Sequence, residues 1–275
     1  MKLGIVSDLH CNIDGLDRAL EIMGPTDALL CLGDSIYEYA FSNEVIGRLR
    51  ELDALTILGN HEEVFLGAAG VRARSRPEID RSLLGWLAKR PQRHELRVDG
   101  KRILMVHSTP WEPRGSYVLP TSSALERFGE ADADIVLYGH THRQVVRRVG
   151  RVLVVNPGSA GDGRDPSNGG QLSCAVLDTA TEEVAVRDFP ALGPASTLES
   201  GAPWSREPSG SEKARKIDAS AKSRTLPRSV FAGADRLLAH RYRDQESAIR
   251  MQIGCSMASQ LCTLTPLIPH RTGLR

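Results

Sequence analysis

Aspartate, asparagine and histidine recur in five short clusters, each directly behind an apolar run. They are Asp8-Leu9-His10, Gly33-Asp34, Gly59-Asn60-His61-Glu62, His107, and Gly139-His140-Thr141-His142. Carboxylate oxygens, an amide oxygen and neutral imidazole nitrogens are donors for hard or borderline divalent cations, and no thiolate stands among them to favour a soft metal. In Asp8-x-His10 and His140-x-His142 an extended backbone would turn both side chains to one face. Gly33, Gly59 and Gly139 permit tight turns and close approach of other chain segments. Taken singly, Asp8 and Asp34 read as cap or turn residues, Asn60 as a turn residue and His107 as a hydrogen-bonded strand end. Two imidazoles around Thr141 resist that explanation, and the whole ordered set would need several coincidences.

The elements that must position these clusters alternate in kind. Residues 2–7, 28–32 and 55–58 read as strands. Between them, Asn12 caps a helix whose apolar face is Ile13, Leu16, Leu20 and Met23, and 43–52 is a helix with Val45, Ile46 and Leu49 inward. Further helices are expected from Glu62 and over 82–89, the latter stopped by Pro91. This βαβαβ rhythm predicts a parallel sheet with helices on its faces. Ligand sites in such sheets gather beyond the carboxyl ends of the strands, so the five clusters are expected to converge on one edge. Downstream, 94–98 and 101–107 flank Asp99-Gly100 as a hairpin, 122–128 is a short helix and 135–138 a strand. Residues 144–149 and 151–156 flank Gly150 as a second hairpin, and strands over 172–178 and 183–188 close the series. Two mixed sheets packed on each other, with helices outside, fit this order.

With 275 residues, 41% of them hydrophobic and 25% charged, the chain has room for a sizeable core in one large domain or two small ones. It contains no apolar run long enough to span a bilayer, and the first apolar stretch is too short for a signal peptide, which together predict a cytoplasmic protein. The cysteines (Cys11, Cys31, Cys174, Cys255, Cys262) show no paired spacing, so free thiols are expected and a structural zinc site is not. Charge is uneven: residues 1–194 carry a balance of −5 and residues 195–275 one of +6. Residues 195–230 are rich in Ser, Pro, Lys and Arg and poor in large apolar residues, too poor to offset the entropy of ordering. The expected organisation is a folded domain over 1–190 and a basic, mostly disordered tail over 191–275. That tail could touch nucleic acid or another acidic surface, but solvation alone explains its composition.

The ordered clusters resemble the calcineurin-like metallophosphoesterase superfamily, whose pattern is D-x-H, G-D, G-N-H-[DE], H and G-H-x-H. The resemblance covers about residues 1–190 and misses no core ligand; the opening Ser7-Asp8-Leu9-His10-Cys11-Asn12 is most similar to the small bacterial and archaeal phosphodiesterase branch. It implies a four-layer αββα sandwich in the α/β class. It also implies two divalent metal ions: one held by Asp8, His10, Asp34 and His142, the other by Asp34, Asn60, His107 and His140. Asp34 and a water or hydroxide would bridge them, the hydroxide acting as nucleophile on a small phosphate-ester substrate. Mn²⁺ is the first expectation, with Fe, Zn²⁺, Ni²⁺ or Co²⁺ as alternatives. Two such ions against Asp8, Asp34 and a hydroxide leave one net positive charge to attract a phosphoryl group. His61 is the catalytic residue implied, as an acid for the leaving oxygen or a stabiliser of the transition state.

Several residues depart from the pattern or stand beside it. Cys11 follows His10 where the family often has Gly, a possible oxidation point or stray ligand. Ser35-Ile36-Tyr37-Glu38 lacks the V-D-R-G continuation of protein Ser/Thr phosphatases, so the Asp that would orient His61 there is absent. Glu62 and His94 read as surface or support residues, Trp86 as core, and Asn156-Pro157-Gly158-Ser159 as a turn beside the site. Arg114 and Tyr117, in the loop behind His107, are explained equally by substrate contact or by exposure. A phosphodiester is the first substrate expectation; a phosphomonoester or nucleotide pyrophosphate is the alternative. The rival from another class is a non-catalytic scaffold like the retromer subunit of this superfamily. Oligomeric state is not legible.

Overall fold

Alternation along the strands sorts apolar side chains onto two faces, and that sorting builds the layers. The computed structural model describes residues 1–112 and 115–191; Arg114 and most of the expected tail, from residue 192 on, lie outside the described residues. One five-stranded sheet has the order β10-β9-β1-β2-β3. Here β1 (Lys2–Val6), β2 (Ala28–Cys31) and β3 (Leu55–Thr56) run parallel. β9 (Leu172–Asp178) and β10 (Glu183–Phe189) are added antiparallel beside β1. The other sheet has the order β4-β5-β6-β8-β7. Its parallel centre is β5 (Lys101–Val106), β6 (Ile135–Leu137) and β8 (Val152–Pro157), flanked by antiparallel β4 (Arg93–Val98) and β7 (Gln144–Val149).

Leu3, Ile5, Leu30, Leu32, Ile103, Met105, Ile135, Leu137, Leu153 and Val155 fill the space between the sheets. The alternate positions face outward. Val6, Leu29 and Cys31 pack under α1 (Ile13–Met23) and α2 (Asn43–Glu51) with Leu16, Ala19, Val45, Ile46 and Leu49. Leu104, Val106, Val136 and Val154 pack under the helical run Ser123–Glu130 through Leu125 and Phe128. The short helix expected there is a 3₁₀ helix. Its buried residues Leu125 and Phe128 are three apart, a spacing that three residues per turn eclipses onto one side.

Local chemistry sets the boundaries. The Asn12 side chain accepts from Gly15 N–H at the start of α1, and Ser42 caps α2 in the same way. Asp99 (φ +47°) and Gly100 (φ +77°) form the primed turn that joins β4 to β5. In the second hairpin Arg151 belongs to the turn, and β8 begins at Val152. α3 (Asn60–Leu66) starts before Glu62, because Glu62 reaches back to accept from Gly59 N–H at 2.8 Å. Short α4 (Val71–Arg74) and α5 (Arg81–Leu87) follow, and Trp86 packs partly buried against the helical side of the first sheet. Among the described residues no helix is long and apolar enough to cross a membrane.

The inter-sheet layer should dominate stability. Leu30→Ala, at a fully buried position, is expected to lower the unfolding free energy by about 2–5 kcal/mol. Val146→Ala, 47% exposed on β7, should shift it by less than about 0.5 kcal/mol. Urea unfolding of both variants measures the contrast; equal losses would refute the layer assignment.

Candidate metal centre

The five clusters stand at the carboxyl ends of β1, β2, β3, β5 and β6, so three come from one sheet and two from the other. The extended backbone expected for Asp8-x-His10 and His140-x-His142 is not found. Asp8, His10, Asp34, His140 and His142 all have positive φ, between +47° and +66°. A side chain in this region costs about 1–2 kcal/mol, and surrounding bonds hold each turn. Asp8 N–H donates to Gly33 O at 3.0 Å, His10 N–H to Asp34 O at 2.9 Å, and Gly161 N–H to Asp8 O at 3.1 Å. The glycines do what their type suggests. A Cβ on Gly59 would fall 2.2 Å from Asp34 Oδ1, and one on Gly139 would fall 1.9 Å from Ser7 Oγ.

Each carboxylate divides its work between its two oxygens. Asp34 Oδ1 accepts from His61 N–H at 2.9 Å, while Oδ2 faces His107 Nε2 at 3.2 Å and His61 Nε2 at 3.6 Å. Asp8 Oδ2 accepts from His140 N–H at 3.0 Å, leaving Oδ1 toward His142 Nε2 at 3.4 Å. Both residues thus pin a backbone N–H with one oxygen and face the pocket with the other.

The imidazoles are oriented from behind. His107 Nδ1 lies 2.8 Å from Leu32 O and His142 Nδ1 lies 2.7 Å from Asp162 O. A carbonyl accepts only from N–H, so each ring carries a proton on Nδ1, and Nε2 presents its lone pair once a cation displaces any proton held there. His10 Nε2 and His142 Nε2 approach to 3.0 Å. The pocket end of the Asn60 amide lies 2.7 Å from His140 Nδ1, 3.1 Å from His107 Nε2 and 3.3 Å from Asp34 Oδ2. Donors around one ion at about 2.0–2.2 Å must lie within roughly 4.4 Å of one another, and these separations comply. Asp8 with His10 and His142, Asp34 with His107 and His140, and His10 with Asp34 and His61 form three groups whose donor atoms lie within 4.8 Å of one another. Asp8 Oδ1 is buried without a hydrogen-bond donor. An orphaned carboxylate oxygen among facing lone pairs fits divalent cations.

Electrostatics divide the ligands further. Burial would raise the pKa of Asp34, but the charge and hydrogen bond of His107 hold it below the ordinary carboxylate range. Burial opposes ionisation of Asp8 as well, and His142 with His107 outweighs it. Burial lowers His107, yet Asp34 drives it up to about 10. His10 and His140 are pushed down to about 4 by burial, His140 also by His107, and both are neutral donors at neutral pH.

Residues 1–182 match the calcineurin-like phosphoesterase superfamily domain. This chain belongs to the calcineurin-like phosphoesterase superfamily. It is 26% identical over 189 residues to phosphodiesterase YfcE of Escherichia coli, covering 64% of this chain and 90% of that protein. Over 122 residues it is 37% identical to the symmetrical bis(5′-nucleosyl)-tetraphosphatase of Paracidovorax citrulli, covering 36% of this chain and 43% of that one. It shares its fold with a metallophosphoesterase from Sphaerobacter thermophilus, at TM-score 0.56 and 22% identity, over 69% of this chain and 88% of the other. Metal-dependent hydrolysis of phosphate esters is the work of this superfamily, and the donor set fits it.

Within this calcineurin-like site, several residues matter more than their sequence context suggested. Glu62 is fully buried, not on the surface. Its carboxylate accepts from the N–H groups of Asp34 (2.9 Å), Ser35 (2.6 Å), Ile36 (3.3 Å) and Gly59 (2.8 Å), joining the loops behind β2 and β3. Burial, with Asp34 nearby, pushes its pKa up to about 7 against those donors. The turn at Asn156 is a brace: Asn156 Nδ2 donates to Gly139 O at 2.8 Å, and Ser159 Oγ to Asp8 O at 2.8 Å. Glu38 supplies the carboxylate expected to be missing beside His61. Its Oε2 stands 2.9 Å from His61 Nδ1. Cys11 faces Ala40 O and is not among the grouped donors; burial raises its pKa to about 11, so it is a thiol at neutral pH.

Glu62→Gln turns an amide N–H₂ toward two backbone donors. It is expected to lower the unfolding free energy by about 1–3 kcal/mol in chelator and to reduce metal content, measured by urea unfolding and elemental analysis. Wild-type values for both would show that the four bonds do not brace the centre.

Proposed function

We propose that the chain is a two-metal phosphodiesterase, with Asp8, His10, Asp34 and His142 holding one cation and Asp34, Asn60, His107 and His140 the other. Manganese is the expected native metal and the cytoplasm the expected setting. The observation that carries this reading is the convergence of buried oxygen and imidazole lone pairs on each other at the meeting edge of two sheets. When bound, two such cations supply Lewis acidity to phosphoryl oxygens and make hydroxide available near neutral pH. The chain's own residues do the rest. Asp34 and Asp8 hold fixed oxygens toward the pocket because their other oxygens are pinned. His107 and His142 present Nε2 because carbonyls hold Nδ1. His61, 17% exposed and beside Asp34, is placed to pass a proton to the leaving oxygen, with the Glu38 carboxylate 2.9 Å from its Nδ1.

The name of the Escherichia coli relative supports a phosphodiester substrate. That of the Paracidovorax relative supports the second reading, a nucleotide pyrophosphate. A non-catalytic scaffold has no need of the donor set or His61. Catalysis is assigned to residues 1–190.

Five outcomes test the proposal. With Mn²⁺ supplied, bis-p-nitrophenyl phosphate should be hydrolysed faster than p-nitrophenyl phosphate. Asp34→Asn should lose both turnover and metal; full turnover in that variant would end the bridging assignment. His61→Asn should keep its metal by elemental analysis while kcat falls about 10²–10⁴-fold. Chelation should lower the thermal midpoint and added Mn²⁺ restore it, as expected for a ligand that binds only the folded state. A chain ending after Ala191 should keep its activity, because Phe189 is the last buried core residue among those described.

A further inference from the structure

Among the described residues the exposed aromatic side chains are Tyr37, Tyr39 and Tyr117. Two of them contact pocket histidines. Tyr37, 36% exposed in the loop behind β2, stacks on His10 with ring centres 4.6 Å apart and meets His61 edge-on at 5.6 Å. Tyr117, 64% exposed in the loop behind β5, lies over His140 at 3.9 Å. One ring therefore stands at each of two donor groups, and the rings come from loops of different sheets. Arg164, in the loop behind β8, pairs with Asp162, whose carbonyl faces His142 Nδ1.

An exposed ring contributes little to folding, so two at one pocket mouth need another explanation. Their position supplies one. With a phosphoryl group over the two donor groups, its ester arm must leave across this rim. Tyrosine faces accept planar rings by stacking, whatever the ring's hydrogen-bonding edge.

We infer that Tyr37 and Tyr117 form a stacking subsite for a planar aromatic ester arm. The substrate class is then a phosphodiester carrying a nucleobase or comparable ring. This rests on the phosphodiesterase reading above but is tested separately from it. Adenosine 5′-methyl phosphate and ribose 5-methyl phosphate differ only in the base. Calorimetric titration of the manganese-loaded full chain should give a Kd at least tenfold lower for the adenosine compound. Tyr37→Leu and Tyr117→Leu together should erase that ratio; Tyr37→Phe and Tyr117→Phe, which keep the rings, should preserve it. Equal affinities in the unaltered protein, or a ratio untouched by the leucine pair, would overturn the subsite. Hydrolysis of bis-p-nitrophenyl phosphate is scored alongside: its absence would sink the phosphodiesterase reading, while the affinity ratio alone decides the subsite.

Discussion

Acceptor atoms do not gather in a protein interior without something to hold them. Here two carboxylates, an amide and several imidazoles direct lone pairs at one another, mostly out of water. Burying a charge without a partner is costly, so the surrounding structure is organised to keep these groups from relaxing apart. The pinned oxygens of Asp8 and Asp34, the carbonyls behind His107 and His142, and the left-handed turns all oppose the same repulsion. A cation of charge two changes its sign. The protein part of the centre is thus a frame held in place from behind, in which a divalent cation would take the position now shared by protons and facing acceptors.

The frame spans two sheets, which ties packing to chemistry. Asp8, His10, Asp34 and Asn60 follow strands of one sheet; His107, His140 and His142 follow strands of the other. Distances between the halves, such as His107 to Asp34, are therefore set by the thickness of the apolar layer between the sheets. Leu30, Leu32, Met105 and Leu137 sit a few residues from the donors. A change of side-chain volume there would be felt first as altered spacing between ligands, and only then as lost stability.

Much of this was legible in the chain itself, for a physical reason. Strand ends are marked by the switch from apolar to polar, and in parallel sheets those ends share an edge, so Asp8, Asp34, Asn60, His107 and His140 identify the pocket before any coordinates. Capping at Asn12 and the Asp99-Gly100 turn are likewise local. What could not be read depends on remote partners. The φ values of His10 and His142 follow from bonds to other loops, the role of Glu62 from backbone N–H groups up to 28 residues away, and that of Ser159 from Asp8. Glu38 beside His61 and the rings of Tyr37 and Tyr117 become meaningful only when separate loops meet.

The bond from Ser159 to Asp8 joins residues 151 apart, and β1 needs β9 as its neighbour. During synthesis on the ribosome, the first donors emerge long before the segments that shape them. Until residues 172–178 follow, β1 keeps one edge open, the kind of surface on which nascent chains cross-pair. High contact order slows such closure, so ion capture must come after translation of nearly the whole domain, and truncated products would be both metal-free and prone to aggregate.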